Sequence, residues 1–141
     1  MQINNYSLLE LTVGQTEQFE VLVRPEDIDV FSEMSGDHSP LHTDEAFAKK
    51  RGFPGRVAHG LFLGALVSRL IGNQLPGANG ILQSLEMSFR KPLIPPKKLI
   101  VKGTIASISQ GTGQITVDVH FTDEEAVLLA TAKAKSIVRE S

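Results

Sequence analysis

Residues 59–75 run HGLFLGALVSRLIGNQL and contain one formally charged side chain, Arg69. The pattern predicts a helix that is apolar on nearly every side, and such a helix has to be buried. Its unbroken apolar run, from Leu61 to Val67, is much shorter than the roughly 18 residues that cross a bilayer. We therefore expect the rest of the chain to wrap this helix.

The predicted helix has one face of small residues. Gly60, Gly64 and Ser68 are spaced i, i+4, i+8, so a backbone or a ligand can approach closely there. At the helix start, free N–H groups and the positive end of the helix dipole point outward together. This end is suited to an oxygen that gains negative charge.

Upstream of this helix, the pattern predicts one strand and two short helices. Alternation over 19–24 predicts the strand, and Pro25 predicts the start of a helix with Ile28, Phe31 and Met34 on one face. Residues 35–40 contain Gly36 and Pro40 and predict a loop, because proline does not continue a helix. A second helix is expected from Glu45 to about Arg51, capped by Thr43 or Asp44.

Downstream of the turn at 76–80 the apolar period changes from 3.6 to 2, which predicts strands over about 84–90, 99–108, 115–122 and 126–138. The segments 109–113 and 122–125 are typical of hairpin turns, so these strands should pair antiparallel. The sequence predicts an α+β fold, an antiparallel sheet wrapped around one long helix. We expect residues 1–141 to form a single domain, and a homodimer would cover an unpaired sheet edge.

Composition argues against several classes of partner and site. A net charge of −2 gives no field that attracts nucleic acid or a membrane surface. The chain contains no cysteine, which excludes disulfides, thiolate nucleophiles and cysteine-based zinc sites. Residues 1–7 lack the basic and apolar segments of a signal peptide, so we expect a cytoplasmic location.

The first candidate site is the loop with Asp37 and His42, a carboxylate and an imidazole five residues apart. Such a pair can hold and polarise one water molecule. Alternatively, Asp37 orders the loop and His42 packs beside the next helix.

The second candidate site is the start of the long helix. Gly60 leaves its N–H open to a ligand, as in an oxyanion hole that stabilises a developing enolate. Alternatively, the glycine serves close helix packing. Together the two candidate sites suggest chemistry at a carbon activated by a carbonyl group.

Two further alternatives concern ion binding. Asp37, His38, His42 and His59 are possible metal ligands, but the two loop histidines lie on either side of Pro40, so no regular helix places them on one face. A cluster of four basic residues is typical of a solvated face and is also able to contact phosphates; it comprises Arg90, Lys91, Lys97 and Lys98.

Residues 35–48, SGDHSPLHTDEAFA, and the start of the long helix, His59-Gly60-Leu61, resemble the MaoC-like hydratases and dehydratases of the hot-dog superfamily. The resemblance is strongest to the (R)-specific enoyl-CoA hydratases and extends over essentially the whole chain in element order. It implies a hot-dog fold and a homodimer. It also implies that Asp37 and His42 are the catalytic dyad and that the Gly60 N–H binds the thioester oxygen.

Three other residues receive roles through the resemblance. Ser68, His59 and Ser39 are expected to contribute to substrate binding. Two positions depart from the family pattern: Ser39 stands where asparagine is common, and Glu45 stands where proline is common. Because serine can still brace the loop, we expect these departures to tune the activity.

The implied reaction is hydration of a trans-2-enoyl thioester to an (R)-3-hydroxyacyl thioester, or the reverse. The implied partner is an acyl thioester of coenzyme A or acyl carrier protein, and no metal or redox cofactor is expected. Two alternatives remain. A hot-dog thioesterase would use the same helix start and release free thiol, and a binding module would have no activity that depends on Asp37 and His42.

Overall fold

A computed structural model describes residues 1–140 of this chain, and its main feature is a five-stranded antiparallel sheet in the order β1-β3-β4-β5-β2. Hairpins join β3 to β4 and β4 to β5, as predicted. All five strands predicted from the alternation are present. Their bounds are Thr16–Val23 for β1, Gly80–Phe89 for β2, Lys97–Ile108 for β3, Gln114–Asp123 for β4 and Leu128–Val138 for β5.

Four α-helices lie between β1 and β2, and a 3₁₀ turn at Leu8–Glu10 precedes β1. The long helix, α4, begins immediately after His59, as the sequence predicts. The bounds are Pro25–Ser35 for α1, Pro40–Thr43 for α2, Glu45–Lys50 for α3 and Gly60–Asn73 for α4. None of the helices in residues 1–140 is long and apolar enough to cross a membrane.

The α1–α2 connection differs from the predicted loop. Gly36 ends α1 with a left-handed φ of 79°, a conformation that favours glycine. The loop predicted over 35–40 is present at 36–39, and Pro40 does not continue α1. Pro40 instead opens the short helix α2, which the sequence did not predict and where a missing N–H is harmless. On α1, Ile28 is buried, whereas Met34 is exposed.

The long helix packs across one face of the sheet through Leu63, Leu66, Val67, Leu70 and Ile71. Close approach is possible where Gly103 of β3 lies beneath it, because a Cβ at Gly103 would lie 2.6 Å from Leu70 Cδ2. The longest helix is thereby seated against the middle of the sheet.

The prediction that α4 is buried all round is wrong for this chain. Leu61 is 67% exposed, and Ala65, Ser68 and Arg69 are also exposed. Phe89, at the end of edge strand β2, is 53% exposed. The sheet covers one side of α4 and leaves an apolar strip open beside β2.

Candidate active site

A cavity of about 820 Å³ lies where the α1–α2 loop, the start of α4 and the end of β2 meet. Asp37, His42, His59 and Gly60 all line it. Most of the remaining lining is apolar and includes Leu63 and Leu93, both buried. The two candidate sites of the sequence therefore form one site.

Asp37 is held by its backbone neighbours in the loop that follows α1. Its Oδ1 accepts a hydrogen bond from the Ser39 N–H at 3.1 Å, and its own N–H donates to Ser35 Oγ at 3.1 Å. Asp37 Oδ2 lies 3.9 Å from His42 Nε2. This separation exceeds a direct hydrogen bond and allows one water molecule to contact both groups.

The His42 ring is fixed in orientation by a short contact between Nδ1 and the Val57 carbonyl oxygen, 2.6 Å. A carbonyl oxygen only accepts hydrogen bonds, so Nδ1 carries the proton. In the neutral ring, Nε2 is then unprotonated and faces Asp37. A basic nitrogen and a carboxylate oxygen consequently point toward the same space.

His59 is buried between these groups, with 3% of its surface exposed. Its Nε2 lies 3.0 Å from the Asp37 carbonyl oxygen and 3.2 Å from Ser32 Oγ. Its ring stacks on His42 with centroids 3.9 Å apart and planes 24° apart. His59 thus contacts both the loop that carries Asp37 and the ring of His42.

Gly60 is the first residue of α4, so its N–H has no acceptor within the helix. The Phe89 ring covers its Cα side, and a Cβ at Gly60 would lie 2.8 Å from Phe89 Cζ. Close packing against β2 is therefore one reason for a glycine at this position. Gly60 also lines the cavity, and a role of its N–H in binding stays a prediction.

Ser39 and Ser68 lie outside the residues that line this cavity. Ser39 precedes α2, and its backbone N–H, rather than its hydroxyl, contacts Asp37. Ser68 is exposed on α4, two turns after Gly60. Gly64, in contrast, faces β2, since a Cβ there would lie 3.6 Å from Met87 Sδ.

Two supporting residues were missed by the sequence analysis. Ser32 of α1 is a buried hydroxyl beside His59. Arg56 Nη1 lies 2.6 Å from Asp29 Oδ1 and donates to the His42 carbonyl oxygen at 3.3 Å. Arg56 thereby links α2 to α1. A charged residue directly after Pro54-Gly55 gives no indication in the sequence of this long-range contact.

The four basic residues fall into two pairs. Lys98 Nζ lies 3.0 Å from Glu20 Oε2, and this hydrogen bond raises the pKa of Lys98 above its ordinary value. Lys97 Nζ lies 3.9 Å from Asp123. Arg90 and Lys91 instead line the cavity beside Phe89. Only the second pair is placed to contact a molecule in this cavity.

The metal alternative is poorly matched by the ring geometry. Asp37, His42 and His59 each offer a ligand atom within 4.8 Å of the others. Each imidazole nitrogen directs its lone pair in the plane of its ring, so two stacked rings aim at separate points rather than at one ion. His38 points elsewhere, with Nε2 3.9 Å from Glu33. The arrangement suits hydrogen bonding better than chelation.

The chain is similar in sequence and fold to several named enzymes. The chain is 27% identical to an (R)-specific enoyl-CoA hydratase of Aeromonas caviae over 91% of its own length and 96% of that protein. It is 37% identical to a 3-hydroxybutyryl-CoA dehydratase of Methylorubrum extorquens over 84 residues, 60% of this chain. That match spans only 54% of the dehydratase.

A solved structure, the unliganded R-hydratase PhaJ1 of Pseudomonas aeruginosa, superposes with a TM-score of 0.92 at 26% identity. The superposition covers 100% of this chain and 90% of the PhaJ1 chain. The fold is accordingly the hot-dog fold that the sequence predicted. The family model described as "MaoC like domain" matches residues 9–126. Because this match runs from before β1 to the last hairpin, this chain belongs to the MaoC-like domain family.

Proposed function

We propose that this protein adds water to trans-2-enoyl thioesters to give (R)-3-hydroxyacyl thioesters, or catalyses the reverse dehydration. The observation that carries the proposal is the 3.9 Å separation of Asp37 Oδ2 and His42 Nε2 in the cavity that Gly60 also lines. Two groups able to accept a proton and one backbone donor are what this addition requires. The family assignment and the hydratase and dehydratase relatives support the same reaction class.

In the proposed mechanism, Asp37 and His42 hold one water molecule between them. The bond from Nδ1 to the Val57 carbonyl leaves Nε2 free to accept a proton. One of the two groups takes a proton from the water as its oxygen attacks C3 of the substrate. The new bond is C3–O, and the π electrons of the C2–C3 double bond move toward the thioester oxygen.

Gly60 contributes a fixed hydrogen-bond donor for that oxygen. The thioester oxygen gains negative charge as the enolate forms, and the Gly60 N–H at the positive end of α4 stabilises it. The dyad then donates a proton to C2, in place of the one it took from the water, which restores the carbonyl group and completes the addition of water. A mostly apolar cavity strengthens these interactions because little water competes for the donor.

The substrate is proposed to be an acyl group on coenzyme A or on acyl carrier protein. Leu63 and Leu93 supply apolar walls suited to an acyl chain. Arg90 and Lys91 line the same cavity and suit the phosphate that both carriers have on their pantetheine arm. Roles for Ser39 and Ser68 in substrate binding stay a prediction from the resemblance.

The protein is also proposed to act as a homodimer. Strand β2 forms one edge of the sheet, and its backbone can pair with a second strand. Leu61 and Phe89 are exposed beside this edge, close to the cavity. A second copy placed along β2 would cover both side chains.

The test is the loss of conjugated enoyl absorbance when the protein is mixed with crotonyl-CoA. Asp37→Asn and His42→Ala should each lower the rate by about 10²–10⁴, as expected for a general acid or base. A thiol-reactive dye is included in parallel, because hydration leaves the thioester intact.

Each other result contradicts part of the proposal. Release of free thiol would identify a thioesterase. Turnover that stays near the wild-type rate in both folded variants would remove Asp37 and His42 from the mechanism. Absence of turnover with short-chain, long-chain and carrier-bound thioesters would leave a non-catalytic binding module.

A further inference from the structure

The His59 side chain has a fixed protonation pattern. A carbonyl oxygen accepts hydrogen bonds only, so the 3.0 Å contact with the Asp37 carbonyl places the proton on His59 Nε2. Nδ1 is buried and has no hydrogen-bond partner within residues 1–140. The ring therefore donates from Nε2, and this N–H faces two acceptors, the Asp37 carbonyl oxygen and Ser32 Oγ.

This bond reaches the main chain of Asp37 rather than its carboxylate. The main chain of Asp37 is held by His59, and Oδ1 is held by the Ser39 N–H. Oδ2 remains the atom that faces His42. The Asp37 N–H also donates to Ser35 Oγ, so the His59 bond is one of three hydrogen bonds that hold this residue. Loss of the His59 bond would let the carboxylate move relative to His42.

The same ring also restrains His42. The two imidazole rings are stacked at 3.9 Å, and Phe31 packs against His59 with its centroid 4.7 Å away. His42 Nδ1 bonds to Val57, two residues before His59 in the chain. His59 occupies the N-cap position of α4, without a side-chain hydrogen bond to the helix, and is bonded covalently to Gly60. The His59 side chain therefore contacts the Asp37 backbone and the His42 ring, whereas only its main chain reaches Gly60.

We propose that His59 is a positioning residue that fixes the distance between Asp37 and His42, rather than a residue that binds substrate. The inference rests on the hydration activity proposed above. Because small displacements of reacting groups have large effects on rate, loss of His59 should lower kcat and leave KM nearly unchanged.

Two variants separate the hydrogen bond from the ring. His59→Phe keeps a flat ring in the buried space but removes the donor to Asp37. His59→Gln keeps an N–H donor near the position of Nε2 but removes the ring. We expect His59→Phe to lower kcat by about 10- to 100-fold, with KM within about threefold of wild type, and His59→Gln to recover part of that loss. His120→Gln, on the exposed face of β4, is the matched control and should retain wild-type kinetics.

A double-mutant cycle tests whether His59 acts through Asp37. When Asp37→Asn is already present, adding His59→Phe should change the rate by less than about threefold, because residues that act as a unit are not additive. A rise in KM with unchanged kcat would show a substrate contact and overturn the inference. Fully additive losses would overturn it as well.

A second readout does not depend on turnover. In NMR spectra, the Ser39 amide proton reports on Asp37 Oδ1, and the ring nitrogens of His42 report on its environment. Both signals should shift in His59→Phe, and the Ser39 signal should move back toward wild type in His59→Gln. Unchanged signals in a folded His59→Phe protein would overturn the inference. Inactive wild-type protein would instead overturn the proposed function and leave this NMR test valid.

Discussion

At the scale of single residues, the candidate site depends on two different kinds of position. Asp37 and His42 provide side chains. Asp37 lies before the short helix α2 and His42 lies within it, and the distance between Oδ2 and Nε2 is 3.9 Å. Gly60 provides only its backbone N–H. A side chain is tested by truncation, whereas a backbone donor needs a substitution that removes the N–H itself.

Gly60→Pro is that substitution, with Gly60→Ala as its control. Proline is well tolerated at the first position of a helix, and the backbone of His59, with φ −58° and ψ 138°, suits a following proline. Both variants place a Cβ against Phe89, but only proline removes the donor. We expect kcat of Gly60→Pro to fall about 10²–10³ below that of Gly60→Ala, the effect of losing one oxyanion donor. Equal rates for the two folded variants would exclude the Gly60 N–H as that donor.

Arg90 and Lys91 are tested by comparing two thioesters. If they contact a phosphate, Arg90→Ala combined with Lys91→Ala should raise KM for crotonyl-CoA by about threefold to tenfold, since these charges are exposed to solvent. Crotonyl N-acetylcysteamine has no phosphate and should show an unchanged KM. Lys98→Ala is the control, because Lys98 pairs with Glu20 outside the cavity. An equal change for both thioesters would argue against phosphate contact.

At the scale of elements, the seating of α4 on the sheet depends on Gly103. A Cβ there would lie 2.6 Å from Leu70 and 3.1 Å from Val117, whereas a Cβ at Gly72 on α4 would contact nothing within 4 Å. Gly103→Ala should therefore lower the free energy of unfolding by about 1–3 kcal/mol through overpacking. Gly72→Ala should raise it by up to about 1 kcal/mol, because alanine favours the helix. Denaturant unfolding measures the free energy of unfolding of both variants. A Gly103→Ala protein as stable as wild type would contradict the prediction and show that α4 shifts easily to make room.

The order and type of the elements were predictable because local patterns determine them. The period-2 alternation over 115–122 correctly predicts β4, and Pro25 correctly predicts the start of α1. The same local reasoning predicted the break after α1 but missed α2, because Pro40 indicated a loop and in the structure begins this helix. Proline is compatible with the first turn and incompatible with later turns, so its effect depends on where the preceding helix has ended.

For the candidate site, four of the predicted residues line one cavity, but their contacts were not predictable. The Asp37–His42 spacing and the start of α4 at His59-Gly60 are visible in the sequence. The bond from His59 to the Asp37 carbonyl and the contact of Arg56 with Asp29 join residues 22 and 27 positions apart. Such contacts follow from the packing of α1 against the start of α4, which no local pattern contains.

At the scale of the whole molecule, the exposed apolar strip is the clearest difference from expectation. A helix that is apolar on nearly every side indicates burial, but the pattern does not say which chain supplies the cover. Leu61 and Phe89 are exposed beside β2 in one copy.

We expect light scattering to give about twice the 15.3 kDa mass of one chain, because a second copy would cover this strip. A Phe89→Glu variant should shift this mass toward one chain, and a wild-type monomer at micromolar concentration would contradict the expectation.

The cavity has two kinds of lining. Asp37 and His42 are the proposed proton-transfer groups, and Leu63 and Leu93 are apolar. The Leu63 and Leu93 side chains carry no group that could donate or accept a proton. Under the proposed function, substitutions at these two positions should alter the size of the acyl group that fits, while the proposed proton-transfer groups stay unchanged. Substrate range and proton transfer would then be open to separate change, by evolution or by engineering.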